Sequence, residues 1–109
     1  MAYQTINPYT NETIKTYDFS TPADIEKALT LGYGLYKKWR DGPVDERAKI
    51  LHKIADLFRQ HEDELAKTAV NDMGKLIGEA KGEVELCAMI ADYYACPLYT
   101  SDAADELLR

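Results

Sequence analysis

The chain has 109 residues, with 13 lysines and arginines against 19 aspartates and glutamates, which gives a formal net charge of −6. This acidic balance argues against nucleic-acid binding, because affinity for a phosphate backbone comes from lysine and arginine. No segment approaches the roughly 20 apolar residues that a membrane-spanning helix needs, so we expect no membrane partner. A two-domain cofactor enzyme also does not fit within 109 residues.

Residues 1–6 lack both the basic segment and the apolar stretch of a secretory signal peptide. We therefore expect a cytoplasmic protein in which Cys87 and Cys96 are reduced thiols. Downstream, residues 3–7 and 12–18 mix the strand-favouring types Thr, Tyr and Ile. The intervening Asn7-Pro8-Tyr9-Thr10-Asn11 predicts a turn, so the segment reads as a β-hairpin that must pack on another element.

The first predicted helix has clear signals at both ends. Thr21 is the expected N-cap, Pro22 takes the first helical position and Asp24 faces the positive end of the helix dipole. Asp41-Gly42-Pro43 ends the helix. Its apolar residues recur at helical spacing and predict one packing face: Ile25, Ala28, Leu29, Gly32, Leu35, Tyr36 and Trp39.

Two further amphipathic helices are predicted. One begins at about Val44 and runs to Gly74, with a kink or short break at the polar residues 60–63, and the other covers about residues 76–95. The fold class is therefore α+β, with an amino-terminal β-hairpin followed by three amphipathic helices. Because each apolar face requires a covering layer, we expect much apolar surface to remain uncovered in this chain.

Two glycine-containing segments partly match nucleotide-binding patterns. Gly32-Tyr33-Gly34 begins a dinucleotide pattern, but Lys37 occupies the third glycine position and the segment lies in a helical stripe rather than after a strand. Gly74-Lys75 matches the end of a phosphate loop, but Leu76 replaces the required Ser or Thr. We interpret Gly74 as a helix C-cap.

The histidines and cysteines predict neither a metal site nor a nucleophile. His52 and His61 are nine residues apart, about half a revolution on a continuous helix, so we expect two separate surface histidines. Cys87 lies on the apolar face of the third helix one turn after Glu83, and we expect a buried structural thiol. Cys96 has no partner at metal-ligand spacing.

The acidic pair Glu79 and Glu83 and the run at 62–64 are interpreted as helix-surface charge, with Lys67 and Lys81 nearby. Nothing in the sequence assembles a nucleophile, a base and an oxyanion donor. We therefore predict no catalytic, cofactor-binding or metal-binding residue in this chain.

Four segments in register resemble the amino-terminal region of the aldehyde dehydrogenase superfamily over roughly residues 4–95. Their motifs are Ile6-Asn7-Pro8-Tyr9-Thr10-Asn11-Glu12, then Trp39 with Glu46-Arg47-Ala48-Lys49-Ile50-Leu51 and Ile54-Ala55-Asp56-Leu57, then Asp72-Met73-Gly74-Lys75 with Glu79-Ala80 and Gly82-Glu83-Val84, and finally Tyr93-Tyr94-Ala95. The third motif most resembles bacterial succinate-semialdehyde dehydrogenases.

This resemblance implies NAD(P)-dependent oxidation of a small aldehyde, with succinate semialdehyde as the expected substrate, by an enzyme that is a homo-oligomer at full length. In the family a cysteine thiolate attacks the aldehyde, and backbone and asparagine donors hold the oxyanion. Hydride then passes to the nicotinamide, and a glutamate-activated water hydrolyses the resulting thioester. Those residues and the dinucleotide site lie further along the family's sequence, and neither Cys87 nor Cys96 matches the nucleophile motif. We expect the chain to bind no NAD or NADP and to be inactive alone.

By the same resemblance, residues 1–95 are expected to be the amino-terminal part of the cofactor-binding domain, and the hairpin and helices to pack against the rest of it. Residues 96–109, which begin Cys96-Pro97-Leu98-Tyr99, depart from the family pattern. They resemble the translation of a transposon-type sequencing adapter, so we expect them not to be native. The alternative is a stand-alone helical interaction module without enzymatic activity.

Overall fold

The computed structural model describes residues 2–96. It contains a β-hairpin and four helices, which are β1 (Tyr3–Ile6), β2 (Thr13–Tyr17), α1 (Pro22–Trp39), α2 (Val44–Gln60), α3 (Glu62–Met73) and α4 (Ile77–Ala95). The predicted α+β order is confirmed, but the number of helices is four rather than three. Apart from Cys96, the segment predicted to be foreign lies outside the described residues.

The extra helix arises at His61, where the predicted long second helix divides into α2 and α3. The backbone of His61 has φ −106° and ψ 20°, so it leaves the helical conformation. Its N–H donates to the carbonyl of Leu57 at 3.0 Å and its carbonyl accepts from the N–H of Leu65 at 2.9 Å. The predicted short break is therefore confirmed, with the single residue His61 ending α2 and beginning α3.

The two strands form an antiparallel hairpin in which Tyr3 pairs with Tyr17 and Ile6 with Thr13, with one irregularity between Thr5 and Ile6. Within the turn, the Asn7 carboxamide oxygen accepts from the N–H of Tyr9 at 2.9 Å. The predicted turn is confirmed.

The start of α1 is fixed by reciprocal hydrogen bonds. The hydroxyl of Thr21 accepts from the N–H of Asp24, and the Asp24 carboxylate accepts from the N–H of Thr21, both at 3.1 Å. The hydrogen bond with the backbone of Thr21, followed by that with the Thr21 side chain, holds the pKa of Asp24 below its ordinary value. The predicted cap is confirmed, yet α1 buries none of its residues, so its apolar face lies uncovered.

The core lies where α4 packs against α2 and α3, and its buried residues are small. Two clusters form it, Ala55, Ala88 and Ala91 in the first and Ala66, Ala80 and Val84 in the second. Alanine side chains let the helix backbones approach closely, but they bury little apolar area. Large apolar residues remain exposed on every helix, including Leu29, Ile50, Leu65 and Ile90. The expectation of uncovered apolar surface is confirmed.

Candidate functional site

The glycines of the partial nucleotide-binding patterns lie within a helix or at the end of one. Gly32 and Gly34 lie inside α1, with open space where a Cβ would stand, and the preceding segment is not a strand leading into a glycine-rich turn. Gly74 has φ 70° and its N–H donates to the carbonyl of Val70 at 2.9 Å, which confirms the predicted C-cap. Neither glycine segment therefore forms the strand–loop–helix turn that holds a dinucleotide pyrophosphate.

The two histidines are exposed and contact different carboxylates. His52 Nδ1 lies 3.2 Å from Asp92 Oδ1, and His61 Nδ1 lies 3.2 Å from Glu64 Oε2. In the described part of the chain, no group of three or more His, Cys, Asp or Glu side chains is placed to hold a metal ion. None of the helices within residues 2–96 has both the length and the apolar character needed to cross a bilayer.

The prediction that Cys87 is a buried thiol is wrong, because this side chain is exposed. The buried stripe of α4 consists of Ala80, Val84, Ala88, Ala91 and Ala95. At about 100° per residue, Cys87 lies roughly 20° beyond the Ala80 edge of this stripe, on the side away from the other members. The helix face that packs is therefore narrower than the apolar face in the sequence, and Cys87 falls just outside it.

Two of the acidic residues that could suggest acid–base chemistry pair with lysines on the helix surface. Lys75 Nζ makes an ion pair with Glu83, and Lys81 Nζ lies 3.3 Å from Asp63 Oδ1. Both pairs connect the α3 region with α4, and all four side chains are a third or more exposed. The interpretation of these residues as surface charge agrees with their positions.

A four-residue polar cluster joins α2 to α4 and consists of His52, Arg59, Glu85 and Asp92. Arg59 Nη1 donates to Asp92 Oδ2 at 2.7 Å and Arg59 Nε donates to Glu85 Oε1 at 3.4 Å, while His52 contacts the other oxygen of Asp92. The hydrogen bond from Arg59, followed by that from His52, holds the pKa of Asp92 below its ordinary value. The same bond with Asp92 raises the pKa of Arg59.

This polar cluster was not predicted from the sequence, although a signal for it exists. His52 and Arg59 are seven residues apart on α2, and Glu85 and Asp92 are seven apart on α4. Seven residues amount to nearly two full turns, so each pair lies on one face of its helix. The positive charge of Arg59 and the negative charges of Glu85 and Asp92 favour contact between those faces, but the sequence does not tell which helices are neighbours.

Chemically, the polar cluster can attach two helices to each other. Arg59 is held between two carboxylates, and each carboxylate oxygen of Asp92 has a hydrogen-bond partner. Each of these side chains is more than a third exposed, so an individual ion pair adds little to the stability of the fold. The attachment of the two helices therefore comes from the network as a whole.

An apolar cavity of about 290 Å³ opens at the junction of α2 and α3. Ile54, Leu57, Phe58 and Leu65 form most of its lining, with His61 and Glu64 at its polar side. This lining continues the uncovered apolar face of α2, which is the kind of surface that packs against another protein layer.

The polar cluster gives a prediction about acid stability. A carboxyl group whose pKa is lowered in the folded state stabilises that state above its unfolded pKa of about 3.9, and the contribution is lost as the pH falls through the folded pKa. We expect Asp92→Asn to lower the thermal midpoint at pH 7 and the difference from the parent chain to shrink below about pH 4. Thermal melts followed by circular dichroism between pH 3 and 7 measure this. A constant difference across that range would contradict it.

Comparison with known proteins identifies the family. The model of the aldehyde dehydrogenase family matches residues 1–104. The chain is 45% identical over 92 residues to a succinate-semialdehyde dehydrogenase [NADP(+)] of Deinococcus radiodurans, covering 84% of this chain and 19% of that protein. A relative from Escherichia coli, succinate semialdehyde dehydrogenase [NAD(P)+] Sad, is 36% identical over 90 residues, covering 83% of this chain and 20% of that protein.

Structural comparison agrees. The fold superposes on the crystal structure of a succinic semialdehyde dehydrogenase from Streptococcus pyogenes in complex with NADP+ with a TM-score of 0.84 and 48% identity. That match covers 99% of this chain and 23% of the streptococcal chain. The chain thus belongs to the aldehyde dehydrogenase family, as its sequence motifs predicted, and it spans about a fifth of the length of the relatives it matches.

Proposed function

We propose that this chain is the amino-terminal part of an NAD(P)-dependent succinate-semialdehyde dehydrogenase that oxidises the aldehyde to the carboxylate. The observation that carries the proposal is the identity of 45% and 48% with two enzymes of that specificity over most of the chain. Its role in such an enzyme is structural. The uncovered apolar faces of α1 and α2 supply packing surface, and neither glycine segment forms a strand–loop–helix turn for a dinucleotide.

Three narrower statements belong to the same proposal. Residues 1–95 form the amino-terminal part of the cofactor-binding domain, and 96–109 are not native, although the family match extends to residue 104. The site that binds the cofactor, NAD or NADP, and the catalytic residues lie in other parts of the enzyme. The enzyme is a cytoplasmic homo-oligomer that binds neither nucleic acid nor membrane.

The proposal predicts that the purified 109-residue chain forms no NADPH or NADH from succinate semialdehyde, measured by absorbance at 340 nm. It also predicts activity for a chimera of the Deinococcus radiodurans enzyme in which residues 1–95 replace the matching segment. Because the transplanted segment supplies packing rather than chemistry, we expect kcat within about tenfold of the parent enzyme, a barrier change of roughly 1.4 kcal/mol. The unmodified Deinococcus enzyme is the positive control.

Cofactor reduction by the purified chain would contradict the assignment of a purely structural role. A chimera that folds as a stable oligomer but has lost its activity would contradict the assignment of this segment to that enzyme class.

The second candidate is a stand-alone interaction module, and the two buried clusters that α4 forms with α2 and α3 favour it, because they give the chain a core of its own. The two functions differ in what happens to the isolated chain. A module must be stable alone, whereas a segment that relies on the rest of an enzyme exposes its apolar faces to solvent. Fluorescence of an apolar dye separates them, since strong dye binding favours the first proposal and a cooperative melt without dye binding favours the second.

A further inference from the structure

The turn of the hairpin lies against the C-terminal end of α3. Gly74, which caps α3, has the left-handed φ of 70°, and a Cβ at this position would stand 3.1 Å from Cγ of Pro8. The proline ring therefore occupies space that any other residue at position 74 would need for its side chain. Gly74 satisfies two requirements together, the left-handed backbone and the close approach of Pro8.

Pro8 is held in this place by a tightly hydrogen-bonded turn. The side-chain oxygen of Asn7 accepts from the N–H groups of Tyr9 and Thr10 at 2.9 and 3.2 Å. The Asn7 carbonyl accepts from the N–H of Asn11 at 2.7 Å, and Asn11 itself has φ 62°. Because the turn is fixed on both sides of the proline, the ring is presented to Gly74 in one orientation.

The remainder of the hairpin is weakly attached. Every residue of β2 is exposed, and in β1 only Thr5 is half-buried. The hairpin packs on the helices through β1 and α3, on the side where Pro8 meets Gly74. A two-stranded hairpin is marginally stable by itself, so its order depends on this small attachment.

We propose that the Pro8–Gly74 contact is the docking point of the hairpin, and that the hairpin opens from α3 as one unit when the contact is broken, while the α2–α3–α4 core stays folded. The mechanism is local opening: a segment with few buried contacts exchanges at a lower free energy than the core. This inference concerns the conformation of the chain and does not rest on the proposed enzymatic role.

The test is amide hydrogen exchange of the full 109-residue chain by NMR, with β1 and β2 amides compared with α4 amides in the same sample. Gly74→Ala introduces left-handed strain and crowds Pro8, so we expect hairpin protection to fall by about tenfold. The α4 amides are expected to keep their protection. Gly82→Ala, at a helical position with open space around it, is the control and should leave the hairpin unchanged.

Pro8→Ala and the double variant separate crowding from backbone strain. Pro8→Ala removes the ring at an exposed turn position and should lower hairpin protection severalfold without unfolding the helices. In the Pro8→Ala background, Gly74→Ala should have a smaller effect than in the parent chain, because Cγ is no longer there to be crowded.

Three results would overturn the proposal. The first is an equal effect of Gly74→Ala in the parent chain and in the Pro8→Ala variant, because backbone strain would then explain the whole effect. The second is an equal loss of protection in the hairpin and α4, and the third is a parent chain whose hairpin amides are unprotected. If Gly74→Ala unfolds the whole chain, Pro8→Ala decides alone, since unchanged hairpin protection in that variant is incompatible with the docking role.

Discussion

Replacing Ala88 with leucine is expected to destabilise the chain by about 3 kcal/mol, the upper end of the range for overpacked cores. Ala88 is fully buried between α4 and α2, in contact with the cluster that contains Ala55 and Ala91. A leucine at this point must either push the two helices apart or adopt a strained rotamer. Because the buried core consists of small residues, separation of the helices also weakens their neighbouring contacts.

Urea denaturation followed by circular dichroism at 222 nm measures this loss, since the midpoint falls with stability while the slope reports the surface exposed. Ala28→Leu is the matched control, because Ala28 is an exposed alanine on α1. We expect its effect to stay within about 0.5 kcal/mol. Equal midpoints for Ala88→Leu and the parent chain would mean that α2 and α4 do not pack through their alanines.

The second large effect is expected for Phe58→Ala. Phe58 is partly buried and packs against both core clusters, so it fills space between the α2–α4 and the α3–α4 contacts. Fully buried phenylalanine truncations cost about 3–5 kcal/mol, and the partial exposure of this ring reduces our expectation to about 2 kcal/mol. The loss should also lower the cooperativity of unfolding, because one side chain connects the two clusters.

Phe19→Ala is the control for this prediction. Phe19 is half exposed and makes an edge-to-face contact with Tyr3 at a centroid distance of 4.6 Å. It lies outside both clusters, so its truncation should cost clearly less than that of Phe58. The same urea titration compares the two variants, and an equal or larger loss for Phe19→Ala would show that Phe58 does not connect the clusters.

The features that depend on local chemistry were predictable from the sequence. Thr21 and Asp24 form the predicted helix cap, and Gly74 takes the predicted left-handed conformation. The hairpin turn at residues 7–11 is also confirmed. Each of these involves hydrogen bonds or dihedral preferences within a few residues, which neighbouring sequence positions specify directly.

The errors concern features that depend on packing or on backbone geometry at one residue. The apolar stripe of α4 includes Cys87, yet the contact with α2 and α3 is narrow enough to leave it exposed. The polar run at 60–63 correctly indicated a short break, but this break divides the predicted long helix into two, so residues 2–96 contain four helices rather than three. The cluster around Arg59 was missed because its charges come from two helices, and Glu85 and Asp92 follow Arg59 by 26 and 33 residues.

The sequence by itself determined the family, through motifs distributed in register along the chain, and the order of strands and helices, through periodicity and end signals. Tertiary structure decided which faces meet. It brought Pro8 to Gly74, joined α2 to α4 through alanines and an ion cluster, and left α1 without a buried residue. The physical reason is that helical spacing fixes the directions of side chains around the axis of one helix. Contacts between elements depend instead on how two elements are placed relative to each other.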